Sequence, residues 1–117
     1  LARVRTQLRR AAPPSSRLRF PDLEIDLDRR RVRQGEREIH LTPTELAILE
    51  VLARNAGRPV SARQLIAKIW GAEEASADTV RVHVGSLRRK LEPDPSAPRY
   101  LVTEPWVGYR FLAEPIE

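Results

Sequence analysis

The chain has 117 residues, 41 % of them hydrophobic, which suffices for one compact domain and leaves little for a second. It has no cysteine and two well-separated histidines, so a disulfide scaffold and a zinc finger are excluded. No apolar run approaches the ~20 residues of a membrane span, and no charged segment leads into an apolar one as in a secretory signal. The cysteine-free composition fits a reducing cytoplasm, which is the expected location.

The net charge of +5 invites a nucleic-acid reading, but it is unevenly placed. Arg3, Arg5, Arg9, Arg10, Arg17 and Arg19 precede the first acid, which leaves 15 basic against 16 acidic groups in residues 20–117. If nucleic acid is the partner, the cations must gather on one face.

Taken in order, Leu1, Val4 and Leu8 fall at helical spacing between arginines, and AAPPSS (Ala11 to Ser16) then breaks any helix. The expected division is residues 1–16 as the end of another domain's helix plus a linker, with 17–117 as the globular domain that follows. The chain starts at Leu1 rather than Met, as a piece of a longer protein would. A disordered basic tail is the other reading of this stretch.

From Arg17 to Leu41 the period changes to two: Leu18 and Phe20, then Leu23, Ile25 and Leu27, then Val32, Ile39 and Leu41. Turn residues at Asp28 to Arg30 and at Gln34-Gly35 separate the runs, which predicts a four-stranded antiparallel meander buried on one face.

Thr42-Pro43-Thr44-Glu45 announces a helix, with Thr42 as cap, Pro43 in the first turn and Glu45 completing a capping box. Leu46, Leu49, Val51 and Leu52 supply its apolar face, and Gly57 lies just past its end. Ser61 and Gln64 form a second capping box, opening a short helix with Leu65, Ile66, Ile69 and Trp70. Trp70 is expected in the core. Gly71 to Ala77 reads as a loop bearing Glu73 and Glu74.

A third helix is expected from Ser76 or Asp78 to Leu91 or Glu92, where Pro93, Pro95 and Pro98 end it. Two strands follow around Tyr100 to Val102 and Tyr109 to Leu112. The turn between them has Pro105 at its second position, and Gly108 is placed to take a positive φ. Strands, three helices and a terminal hairpin together describe an α+β winged helix-turn-helix.

On the third helix, at 100° per residue, Val80, Val84, Leu87 and Leu91 share one arc and must be the core face. The opposite arc holds Asp78, Val82, Gly85, Ser86 and Arg89. Arg81 and Arg88 flank it on one side, with Thr79, His83 and Lys90 on the other. Small groups in the middle and long cations at the shoulders suit a helix lying in a major groove. Gly85 is the sharpest signal, since a mid-helix glycine costs about 1 kcal/mol relative to Ala. Close approach of another surface would offset that cost; drift at a tolerant surface position is the alternative.

Several residues have two readings. Arg88, Arg89 and Lys90 also complement the helix dipole. Arg81 is spaced to pair with Asp78. His83 borders the apolar arc and suits a half-buried position as well as a contact. Trp106, at the hairpin tip, either packs back on the domain or meets a sugar–phosphate wall or minor groove. Tyr109 and Phe111 read as core.

The segments LTPTELAILEVLARNAGRPVSARQLIAKIWG, TVRVHVGSLRRKLE and VGYRF, in that order, resemble the OmpR/PhoB-type effector domain of bacterial two-component response regulators. The likeness covers Arg17 to Ala113. VRVHVG, PDPSAPR and VTE…VGYRF are most similar to the members that regulate potassium-uptake genes. The resemblance implies a preceding receiver domain phosphorylated by a histidine kinase and head-to-tail homodimers on direct repeats of promoter DNA. It also implies a recognition helix over 78–92, a wing over 104–108, and an RNA polymerase contact in the loop with Glu73 and Glu74. Carried onto this chain, its contact positions are Asp78, Val82, His83, Gly85, Ser86, Arg88 and Arg89.

This chain departs from the commoner pattern in three places. Asp78 and Arg81 exchange the usual Arg and Asp, Gly85-Ser86 lacks a basic residue, and Pro105-Trp106 replaces an Arg-Gly wing. The base-contact set is therefore thinner, and phosphate contacts and DNA shape carry more of the binding.

The expected DNA-facing set is Thr79, Arg81, Val82, His83, Gly85, Ser86, Arg88, Arg89, Lys90 and Trp106, with no cofactor or metal. The rival reading is a winged-helix protein-interaction module with little DNA binding, which the near-zero charge of residues 20–117 favours. An enzyme is not expected: there is no cysteine, no Gly-rich phosphate loop and no histidine beside a nucleophile.

Overall fold

The computed structural model describes residues 17–71, 75–94 and 96–113. The expected helix end and linker of residues 1–16 lie outside them, as do Glu73 and Glu74.

Four short strands, β1 (Arg17–Phe20), β2 (Leu23–Asp26), β3 (Arg31–Gln34) and β4 (Arg37–Ile39), form an antiparallel sheet in sequence order. Register follows from the alternation: Leu18 pairs with Ile25, Ile25 with Val32, and Val32 with Ile39, so one apolar row crosses the sheet. Ile25, Val32 and Ile39 are buried. The opposite face carries ion pairs of exposed arginines, Arg17 with Glu24 and half-buried Asp26 and Arg31 with Glu38, at 3.4 to 3.6 Å. Such solvated pairs contribute little stability. A tight turn through Pro21 and Asp22 (φ 68) joins β1 to β2, and the alternation alone did not mark it.

Helix α1 (Pro43–Arg54) starts with the expected capping box: Glu45 N donates to Thr42 Oγ1, and Thr42 N donates to Glu45 Oε1. Its buried apolar residues are Leu46, Ile48, Leu49, Leu52 and Ala53, whereas Val51 is only half-buried. Helix α2 (Ala62–Leu65) has the second expected box, between Ser61 and Gln64. It widens over Ile66–Trp70 into a π-helical turn that the sequence pattern did not reveal. Helix α3 runs Ala77–Leu91 behind Ser76, within the expected bounds.

The C-terminal hairpin, β6 (Leu101–Glu104) and β7 (Gly108–Phe111), gains a third strand that no period in the sequence announces. Strand β5 (Pro59–Val60) pairs with β7, Pro59 opposite Arg110 and Val60 opposite Tyr109. A proline is tolerated there because β5 is a sheet edge.

One core joins the layers. Phe111 on β7 sits 4.8 Å from Phe20 on β1 and 6.2 Å from Tyr100, ring centre to ring centre. Val80, Val84, Leu87 and Leu91 of α3 are fully buried against the same core, as the helical arc required. Trp70 is half-buried at its edge rather than enclosed.

Candidate nucleic-acid interface

With its apolar arc buried, α3 turns its other side outward. Val82 is 67 % exposed. A Cβ built on Gly85 would meet only Arg89 Nη1, at 3.8 Å, so no other part of the described chain covers that position. Arg89 itself is exposed. Val82, Gly85 and Arg89 thus form an outward strip, with the Arg89 guanidinium reaching back to half-exposed Gly85.

The shoulders are occupied within the molecule. Thr79 closes the capping box with Ser76, its N–H donating to Ser76 Oγ at 3.2 Å. Arg81 pairs with Asp78, both exposed. His83 is half-buried with its ring 5.8 Å from Trp70. Arg88 reaches the hairpin, where Nε donates to Leu101 O at 3.1 Å and Nη2 to Thr103 Oγ1 at 3.2 Å. That pair of bonds fixes the foot of the wing against the last turn of α3.

Ser86 and Lys90 both turn to Glu45 on α1. Ser86 Oγ donates to Oε2 at 2.5 Å and Lys90 Nζ to Oε1 at 2.7 Å. Glu45 is 2 % exposed and accepts the Thr42 N–H as well, so one carboxylate caps α1 and anchors α3. The sequence marked Glu45 only as a cap; its partners are 41 and 45 residues away and carry no local signal.

Burial alone would raise the Glu45 pKa, but the bonds from Lys90, Ser86 and Thr42, with the Lys90 charge, outweigh it and hold it below the ordinary 4.5. A carboxyl whose pKa is depressed by folding adds stability above its unfolded pKa, and that stability is lost as pH falls through the folded value. Glu45→Gln should therefore cost about 1–3 kcal/mol near neutral pH. Urea unfolding should show the gap to the parent narrowing below about pH 4.5. An equal gap at all pH values would show that the Glu45 charge does not anchor α3.

The wing differs from expectation in its turn. Val107 N donates to Glu104 O at 3.0 Å, closing a turn whose third residue, Trp106, has φ 68. It is Trp106 that takes the left-handed conformation there, at a cost of order 1 kcal/mol for a residue with a Cβ. Gly108 does take the expected positive φ, at 150, but one residue beyond the turn's closing hydrogen bond, where it also lies in close contact with β5. Trp106 does not pack back on the domain: its relative exposure is 104 %.

A second carboxylate was read in sequence only as the helix end. Glu92, 3 % exposed at the close of α3, accepts the backbone N–H groups of Arg99, Tyr100 and Leu101 at 2.6 to 3.2 Å. The available signal was an acid at a helix C-terminus, where the dipole disfavours it.

A four-stranded sheet, a helical trio with an outward third helix and a short-turned hairpin define a winged-helix domain. The chain belongs to the family described as "Transcriptional regulatory protein, C terminal", whose model matches residues 36–111, and is of the OmpR/PhoB type. It is 42 % identical to the KDP operon transcriptional regulatory protein KdpE of Escherichia coli, over 95 % of this chain and 51 % of that protein. It is 43 % identical to the Mycobacterium tuberculosis KdpE, over 97 % of this chain and 52 % of the relative. The chain thus spans about half the length of these curated relatives. Among solved structures, the Thermotoga maritima response regulator DrrB, an OmpR/PhoB homologue, superposes with TM-score 0.77 at 35 % identity, over 83 % of this chain and 44 % of that one. The Klebsiella pneumoniae RstA DNA-binding domain, solved in complex with the RstA box, gives 0.76 at 27 % identity, over 82 % and 96 %. Among the described residues, no helix is long and apolar enough to cross a membrane.

Proposed function

We propose that this chain is the sequence-specific DNA-binding domain of a response regulator that controls transcription. Residues 78–92 enter the major groove, and residues 104–108 lie along the minor groove or backbone. The observation that carries this reading is the outward strip of Val82, Gly85 and Arg89, which no other element of the described chain covers, on a helix whose opposite arc is buried. Short groups let the helix approach base edges, and Arg89 supplies a charge for a phosphate or guanine. Membership of the family and the RstA complex support it.

On this reading residues 17–117 are the effector domain, and residues 1–16 are the end of a receiver-domain helix with its linker. The partners are promoter DNA in direct repeats bound by head-to-tail homodimers, RNA polymerase through the loop with Glu73 and Glu74, and a histidine kinase acting on the receiver. Similarity to KdpE points to potassium-uptake genes as the target. The site is cytoplasmic, and the domain needs no cofactor and performs no catalysis.

A protein-interaction module is the second reading. It draws on the near balance of charge beyond residue 19 and on the bonds that occupy Arg81, Arg88 and Lys90.

Binding to duplexes selected from random DNA, followed across salt concentration, separates the two. Arg89→Ala should weaken binding and reduce the log–log salt slope by about 0.9, the loss of one phosphate contact. Gly85→Ala should raise the stability of the free chain by about 1 kcal/mol, since the added Cβ meets only Arg89. It should nonetheless lower affinity, because the methyl stands where the duplex approaches. Selection of no duplex by the parent chain would leave the interaction module as the better account.

A further inference from the structure

The wing tip presents a bare indole from a backbone position that favours glycine. Trp106 occupies the third position of its turn with φ 68, and no described residue covers its ring. Val107 beside it is 52 % exposed. The turn holds the tryptophan in its left-handed conformation, and nothing in the described chain covers its solvated ring.

The tip carries no free cation. Between Thr103 and Tyr109 there is no Lys or Arg, and the Arg110 guanidinium is held by Glu104 at 2.5 and 2.7 Å. Neutralising a phosphate is therefore not what this tip is built for; its contact is apolar and aromatic. The tip is also presented rigidly. Pro105 restricts φ, Val107 N–H closes the turn, and Glu104 with Arg110 staples the two strands. Arg88 ties the foot of the same hairpin to α3, next to exposed Arg89.

We propose that Trp106 is a wedge that enters the minor groove of the bound duplex and stacks on a partly opened base step. The wing would thus select DNA by its deformability rather than by charge. The inference rests on the DNA-binding reading above and deepens it. Apolar side chains pushed between base steps from the minor groove unstack and kink the duplex. Pyrimidine–purine steps such as TA and CA yield most easily, so the preferred ligand is a duplex with such a step at the reach of the wing. Every base offers a π-face, and an indole held in place by its turn loses little freedom on stacking. A protein surface is the other class of partner for an exposed tryptophan; attachment of the wing to α3 favours DNA.

The test is Trp106→Gly, because the turn accepts glycine at this position and the free chain should melt at the same temperature or higher. Its affinity for duplexes selected by the parent should fall about tenfold or more. The salt slope should stay unchanged, since no cation is removed. Energy transfer between the duplex ends should report a relaxed bend. Replacing the TA or CA step under the wing with a stiffer one should weaken the parent but not the variant. Trp106→Phe, still aromatic, should keep most of the affinity and the bend. Parental binding and bending by Trp106→Gly would overturn the wedge and leave DNA binding standing. Loss of self-association in the free chain, with DNA binding untouched, would overturn it in favour of a protein anchor. If the parent selects no duplex, the wedge falls together with the DNA-binding reading.

Discussion

Gly108→Ala is expected to destabilise the domain severely and lower its melting temperature by well over ~10 °C. An ideal Cβ at this position would stand 2.1 Å from Val60 O and 2.7 Å from both Val60 C and Ser61 Cα. All three atoms are backbone, so no side chain can swing aside to relieve the clash. The φ of 150 adds a penalty that any residue with a Cβ would bear. Relief requires β7 to part from β5, and β7 carries Tyr109 and the fully buried Phe111. Phe111 is the ring that joins both sheets, so the damage spreads through the core. A loss of about 4 kcal/mol or more is expected, against a total stability of roughly 5–15 kcal/mol for a domain this size. Thermal unfolding followed by circular dichroism checks it; a melting temperature within a few degrees of the parent would show that the strands can separate cheaply here.

Glu92→Ala should cost about 3 kcal/mol or more. The carboxylate receives four hydrogen bonds from three consecutive backbone N–H groups, those of Arg99, Tyr100 and Leu101. Tyr100 and Leu101 are buried, so water cannot easily replace the lost acceptor. A buried donor left unmatched costs about 1–3 kcal/mol, and charged acceptors make the stronger bonds. The melting temperature should drop on the order of 10–20 °C. The position of β6 should loosen too, which amide exchange at Leu101 would report as lost protection. Unchanged exchange there would mean that the β6–β7 pairing alone holds the strand.

Much of the architecture was legible because its causes are local. Alternation of Leu23 and Ile25 with acids reports a strand with one wet face. The boxes at Thr42–Glu45 and Ser61–Gln64 satisfy backbone donors within four residues, so their sequence signature and their geometry coincide. The arc of Val80, Val84, Leu87 and Leu91 is legible for the same reason. A helix has a fixed pitch, and its apolar stripe must be buried.

The candidate site was legible less evenly. The α3 outward face could be drawn from the pitch alone, but not which of its groups are free. Ser86 and Lys90 are bound to Glu45, and Arg88 to the hairpin, by contacts spanning 13 to 45 residues. The two-residue strand β5 has no signature in the sequence, because Pro59 and Val60 are too few to show a period.

The order of elements, the ends of the helices and the inward and outward arcs of α3 were thus set by spacing along the chain. Such features answer to backbone geometry, whose periods repeat within a few residues and so show in the spacing of apolar side chains. Which cations remain free, why Gly108 cannot carry a side chain and where Trp106 points were settled only when distant segments met. A hydrogen bond or a clash depends on distance in space, and the sequence records only distance along the chain.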